Sequence, residues 1–144
     1  MYRSVFIACI VALSCFFSSY SATATKPRLP PSGVQGTWVI VSQVDAKGNM
    51  DDLNMGSVIT IDLKTNAITA NLGCNNMMGN WVEKKENKIK KVALAGTKMA
   101  CDADLMRLET LFGKNRAKVT SYKFNGAMLE FYNRRKLVMV LKRG

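Results

Sequence analysis

Two hydrophobic periods share this chain. Runs rich in β-branched and aromatic residues, bounded by Gly, Asn, Asp, Ser or Lys, predict strands over Thr37–Ser42, Ser57–Leu63, Ala67–Leu72, Asn80–Glu83, Lys88–Leu94, Val119–Phe124, Ala127–Tyr132 and Leu137–Leu141. Three polar breaks read as turns: Lys64-Thr65-Asn66, Lys84–Asn87 and Asn125-Gly126. The last offers two residues tolerant of positive φ and is the strongest hairpin signal in the sequence. One segment follows the other period. Leu105, Leu108 and Phe112 are spaced i, i+3, i+7, with Met106 and Leu111 beside them. Asp102 ahead of this set, and Lys114 and Arg116 behind it, suit the two ends of a helix over 103–113.

One helix among short strands and tight turns predicts a mainly β fold. We expect a single antiparallel barrel or half-barrel of about seven or eight strands, with the helix packed against it. Alternate strand residues then point inward. In the final hairpin Tyr122, Phe124, Leu129 and Phe131 form one such set, and Trp38, Ile40, Ile59, Ile61 and Val82 are candidates elsewhere. A small barrel either fills its interior with such side chains or keeps room for one apolar ligand. The close packing of protein interiors favours a mainly filled core with a narrow apolar groove beside the helix.

The N-terminus has a different character. Met1-Tyr2-Arg3 carries one positive charge, an apolar run follows from Val5 to Phe17, and Ala22-Thr23-Ala24 ends a small, polar stretch. This is the pattern of a secretory signal over residues 1–24, and the apolar run is too short to span a membrane. Cleavage after Ala24 would release a soluble chain. Alternatively, Val11-Ala12-Leu13-Ser14-Cys15 resembles a lipobox, which would make Cys15 a lipidated membrane anchor. All three prolines lie in residues 25–33, read as an extended linker before a domain over 34–144. The protein is thus expected to be exported, periplasmic or secreted, or else anchored to a membrane through Cys15.

The chain has 144 residues, 21 Lys and Arg against 10 Asp and Glu, and no histidine. Without imidazole there is no Ser-His-Asp or Cys-His triad and no zinc motif of the histidine type. No Gly-x-Ser-x-Gly or phosphate-binding loop occurs either. The sequence assigns no catalytic residue, cofactor or metal. Either processing route removes Arg3 and no acid, leaving a mature charge of +10. The excess is uneven: Lys114–Gly144 holds nine Lys and Arg and one Glu, and Lys84, Lys85, Lys88, Lys90 and Lys91 add to it. The partner is unidentified, with anionic lipid, polyanionic glycan or an acidic protein as candidates. An export signal speaks against nucleic acid. A solvated basic face serving solubility alone is the plainer alternative.

Two cysteines survive cleavage after Ala24. Cys74 and Cys101 in an exported domain suggest a disulfide, whose 27-residue separation would be worth about 3.5 kcal/mol; a pair of buried free thiols is the alternative. Around them lie Gly73-Cys74-Asn75-Asn76-Met77-Met78-Gly79-Asn80-Trp81 and Leu94-Ala95-Gly96-Thr97-Lys98-Met99-Ala100-Cys101, followed by Glu109-Thr110-Leu111-Phe112. In these motifs, and in Gly36-Thr37-Trp38, the sequence resembles the META/HslJ-like domain family over roughly Val34 to Arg143. Trp81 stands where that family usually has tyrosine. The resemblance implies a compact β-rich fold, export, no known enzymatic activity, and an association with heat shock, antibiotic tolerance or, in some parasites, virulence. It also implies a likeness to a lipid-binding pilotin. A non-enzymatic, exported domain with a stress-associated or binding role follows, its ligand apolar or anionic. The alternative is a secreted inhibitor that docks basic loops onto an acidic partner.

The motif residues Gly73, Asn75, Asn76, Gly79, Trp81, Thr97, Lys98 and Met99 form the candidate site. Asn75 and Asn76, read as loop residues at a strand end, could recognise a ligand or simply hold a turn, and loop geometry favours the turn. Asp102 and Asp104 are better suited to capping the helix than to a metal, and Asp51 and Asp52, read as a loop pair, lack the spacing of a calcium site. The frequent methionines, Met77 and Met78 above all, suit gap filling or an adaptable pocket.

Overall fold

The computed structural model describes residues 33–52, 57–85, 87–90 and 93–144. The segment read as an export signal, Cys15, Lys91 and all but the last residue of the expected linker lie outside them. The fold is mainly β, an antiparallel sheet curled into a half-barrel with one helix. In chain order come β1 (Gly36–Val44), β2 (Met50–Asp52), β3 (Val58–Asp62), β4 (Ala67–Asn71), β5 (Asn76–Asn80), β6 (Glu83–Lys85), β7 (Lys88–Ile89), β8 (Leu94–Gly96), α1 (Ala103–Arg116), β9 (Ser121–Asn125), β10 (Met128–Asn133) and β11 (Lys136–Arg143). The strands order as β6-β7-β9-β10-β11-β1-β3-β4-β5-β8, with β2 pairing β1 alone. The count exceeds seven or eight because β2 and β5 carry too little strand pattern to be read from sequence and the run Lys88–Leu94 divides into two short strands, β7 and β8. α1 joins β8, at one end of this order, to β9, near the other.

The turns explain the long hairpins. Asp62 Oδ1 accepts from Lys64 N at 2.9 Å, and Asn66 adopts a φ of 53°, closing β3 onto β4. Asn125 remains in β9 opposite Met128, so Gly126 and Ala127 make the turn to β10, with only Gly126 at positive φ. On β1 the register shifts between Ile40 and Ser42, and the inward set changes from Trp38 and Ile40 to the fully buried Gln43. Trp38 sits in the core with its Nε1 donating to Val34 O at 2.8 Å. The Arg143 guanidinium stacks 4.2 Å over its ring, in space that only a glycine at position 36 leaves open.

Ile40, Ile59, Ile61, Tyr122, Leu129 and Phe131 are buried as expected from alternation, and Phe124 is half-buried against them. Val82 is not: it is 41% exposed and Trp81 takes the inward position. Asn80–Glu83 is not one strand. β5 ends at Asn80 and β6 starts at Glu83, and Trp81 continues the inward alternation of Met77 and Gly79, which turns Val82 to the other face. Likewise Lys88–Leu94 divides into β7, paired with β6 and β9, and β8, paired with β5. Leu108 and Phe112 of α1 complete the core. Beside the helix lies an apolar cavity of about 20 Å³ lined by Ile59, Ile68, Trp81, Phe112, Phe131 and Met139 among others. That is room for one water and not for an acyl chain.

α1 runs three residues beyond the expected 113. Gly113 does not stop it, because Asn115 in the last turn is buried and donates its Nδ2 to Val44 O at 2.6 Å. A backbone carbonyl of β1 thus holds the final turn. At the opposite side of the half-barrel, Tyr122 donates to Glu83 Oε1 at 2.6 Å, tying β9 to β6. Burial, then the Glu83 carboxylate, holds the Tyr122 phenol well above its ordinary value of 10.0. The folded chain therefore keeps this proton more tightly than the unfolded chain, and the stability so gained is intact below pH 10 and lost as pH rises above it. Urea midpoints should fall on going from neutral to about pH 11, and Tyr122→Phe should shallow that fall. An unchanged slope in the variant would show that the contact contributes nothing.

Candidate functional site

The motif segments meet at the end of the sheet nearest β8. Cys74 and Cys101 are joined by a disulfide, with Cα atoms 6.2 Å apart, and neither is a free thiol. The bridge ties the residue before Asn75 to the residue before the helix cap. Asp102 Oδ1 accepts from Asp104 N at 2.9 Å, so the acidic pair caps α1. Among the described residues, no group of three or more His, Cys, Asp or Glu could hold a metal ion. Asp51 and Asp52 lie in β2 rather than in a loop, drawn into pairing by Gln43 and Ser42 of β1.

Asn75 is the centre of a buried polar network. Its backbone N–H donates to Glu109 Oε1 at 2.5 Å and its Nδ2 to Glu109 Oε2 at 2.6 Å. Its Oδ1 accepts from Thr97 Oγ1 and from Met99 N, both at 2.8 Å. Asn76 N donates to Thr97 Oγ1 at 3.2 Å, and Thr97 N returns a bond to Asn76 O at 3.1 Å. The side-chain carbonyl of one asparagine thus fixes the chain after β8, while its amide N–H groups fix the middle of α1. Glu109 is only 9% exposed, and both its oxygens face Asn75. Each oxygen of this carboxylate is engaged by Asn75 inside the fold. It acts as a latch.

The remaining motif residues serve the same junction. Gly73 adopts a φ of 103° with Leu105 of α1 packed over it. Asn76–Asn80 is strand β5 and not a loop: a Met-Met-Gly core with Asn at each end has weak strand propensity, but β4 on one side and β8 on the other impose the pairing. Gly79 is required there because the Ala93 carbonyl occupies the place where a Cβ would stand. Met77 packs against the core, whereas Met78 and Met99 are exposed. Lys98 is exposed and Trp81 fully buried.

Glu109 entered the sequence reading only as part of a motif. The signal was there: it shares the inward helix face with Leu105, Leu108 and Phe112, four residues on from Leu105. A charge at that position needs a buried partner.

The basic residues gather elsewhere. A groove of about 530 Å³ runs along α1, lined by Met106, Arg107, Leu111, Lys114 and Lys118 among others. Through Asn115 and Lys118 it continues into a second concavity, of about 510 Å³, which reaches Lys136. Asn133 and Lys136 connect this to a third, of about 560 Å³, at the Arg134-Arg135 turn between β10 and β11. The one acid in the lining is Asp45. Its Oδ1 already accepts from Lys47 N and Asn49 N, both at 2.8 Å, and backbone donors hold its carboxyl below the ordinary value.

The family model for the META domain matches residues 32–144. Among solved structures, the fold is similar to that of a protein from Burkholderia xenovorans determined by NMR, with a TM-score of 0.60 at 17% identity over 77% of this chain and 83% of that one. It is also similar to a DUF4847 family protein from Bacteroides vulgatus ATCC 8482, with a TM-score of 0.53 at 14% identity over 77% of this chain and 94% of that one. No curated protein matches the sequence.

The network makes a sharp prediction. Asn75→Asp sets two carboxylates against each other and should cost about 3 kcal/mol in urea denaturation. Glu109→Gln alone should cost about 1–2 kcal/mol. In the double variant the new Gln amide can donate to the new Asp, so part of the loss should return, with a coupling of about 1 kcal/mol or more. Additive losses would mean that the two side chains do not act as one unit.

Proposed function

The chain belongs to the META domain family, and from that premise we propose that it is an exported, non-enzymatic binding domain of the cell envelope whose ligand is anionic. One observation carries this reading: the polar groups of the motif are spent on each other, whereas six cations line three connected concavities. Asn75 and Glu109 bond to each other and to the scaffold, so the motif supports a structure. The groove has the exposed charge that recognition of an anion needs. Export is supported by the signal pattern over 1–24 and by the Cys74–Cys101 disulfide, which suits an oxidising compartment. Among the described residues no helix is long and apolar enough to cross a membrane. With room for only one water in the cavity beside the helix, an apolar ligand would have to bind elsewhere.

The inhibitor reading draws on a narrower observation. Arg134, Arg135 and Lys136 are exposed together at one hairpin turn, with Arg134 at a φ of 57°, a shape suited to docking on an acidic surface.

Cell fractionation followed by intact-mass measurement tests the export half. The mature chain should begin at Thr25, or at a lipidated Cys15, outside the cytoplasm. Immobilised heparin tests the other half: the protein should bind at physiological salt and elute only above it. An uncleaved cytoplasmic chain, or flow-through at physiological salt, would contradict the proposal.

A further inference from the structure

The groove is not uniform, and its gradient points to the kind of partner. Its α1 end is partly apolar: Met106 is 46% exposed and lies three residues on from Ala103, on the same side of the helix. Moving toward the β10–β11 turn the lining becomes cationic, through Lys114, Lys118 and Lys136. Arg107 and Lys114 are two helical turns apart, about 10 Å along the axis, a distance that an extended chain crosses in about three residues. We propose that this groove receives an extended acidic segment of a partner protein, with an apolar side chain seated against Met106 and Ala103 and carboxylates following along the lysines. The inference rests on the reading of the domain as an anion-binding module and names the surface and the class of partner.

Two features favour a peptide over other anions, while the Arg134-Arg135 turn is exposed enough for a flat bilayer to reach, which the vesicle probe tests. Among the described residues no aromatic side chain lines any of the three concavities, so stacking of nucleobases finds no platform there. An apolar seat at one end serves a protein side chain and offers nothing to a sulfated glycan.

The test uses a fluorescein-labelled synthetic peptide in which one leucine precedes regularly spaced glutamates, followed by anisotropy at several salt concentrations. Immobilised heparin and vesicles of phosphatidylglycerol serve as comparison probes. The triple variant K114E/K118E/K136E should weaken peptide binding about tenfold or more, whereas K84E/K85E/K90E, with the same change in net charge away from the groove, should not. Met106→Ser should weaken the peptide several-fold and leave heparin binding unchanged. All these positions are surface ones, and matched circular dichroism would show that the variants fold. Equal binding by the two triple variants would overturn the groove while leaving the anion-binding reading intact. A wild-type domain that holds heparin or vesicles but ignores the peptide would overturn the class of partner. A domain that ignores all three probes would overturn both.

Discussion

Asn75 joins three pieces of chain that no continuous secondary structure connects. The helix has to cross from β8, at one end of the strand order, to β9, near the other, and a lever of that kind needs a fixed pivot. The pivot is one amide side chain, whose acceptor is shared by Thr97 and Met99 and whose donor serves Glu109. Buried polar groups of this sort cost several kcal/mol when unpaired and return only about 1 kcal/mol each when paired. The arrangement therefore specifies one geometry more than it adds stability. Rotation of the helix face or slippage of β5 along β8 would leave a buried carboxylate without partners, a large penalty for a small movement. The disulfide from Cys74 to Cys101 acts beside it on the unfolded chain, and its 27-residue separation is worth about 3.5 kcal/mol.

Once that junction is set, the other elements need little more than alternation. β3, β4, β9, β10 and β11 have strong β-branched and aromatic patterns and turn residues suited to their hairpins, which is why they were legible in sequence. Their core contacts follow: Trp38, Ile59, Ile61, Leu129 and Phe131 are buried as period two demands. What sequence alone could not reveal has a common physical cause. β5 reads as loop because its own residues prefer no strand, and pairing on both edges supplies the preference. Trp81 keeps the inward phase of Met77 and Gly79, so Val82 turns outward as soon as β5, which sets that phase, is in place. The last turn of α1 escaped because a glycine stood at 113, and a hydrogen bond from Asn115 to β1 outweighed its helix-breaking tendency. In each case a tertiary partner overrides a local preference.

The site was legible in a different way. Composition and spacing located the segments that matter, Gly73–Trp81 and Leu94–Cys101, without revealing that they meet through Glu109 on the helix. A charged residue on an apolar helix face is the one local anomaly that marks it. Asn115, at the same face one turn beyond Phe112, is a second: both mark places where the inner face of α1 is fastened by hydrogen bonds rather than by packing alone.

The division of labour between polar groups has an energetic logic. A surface that gathers like charges works against folding: two unit charges about 10 Å apart in water repel by about 0.4 kcal/mol, less once salt screens them. The Arg107 and Lys114 pair is of this size, and Lys118, Lys136 and the Arg134-Arg135 turn add similar increments. Single-kilocalorie penalties matter in a domain whose net stability is only about 5–15 kcal/mol. Here they fall at the C-terminal end of α1, where the helix dipole welcomes Lys114 and Arg116 and offsets part of the repulsion. The disulfide ties down the start of α1 and the Asn75–Glu109 latch its middle, where they fix its direction without drawing on the basic residues. The cations that line the groove thus stand apart from the latch, and a partner can engage them without disturbing the groups that secure the fold.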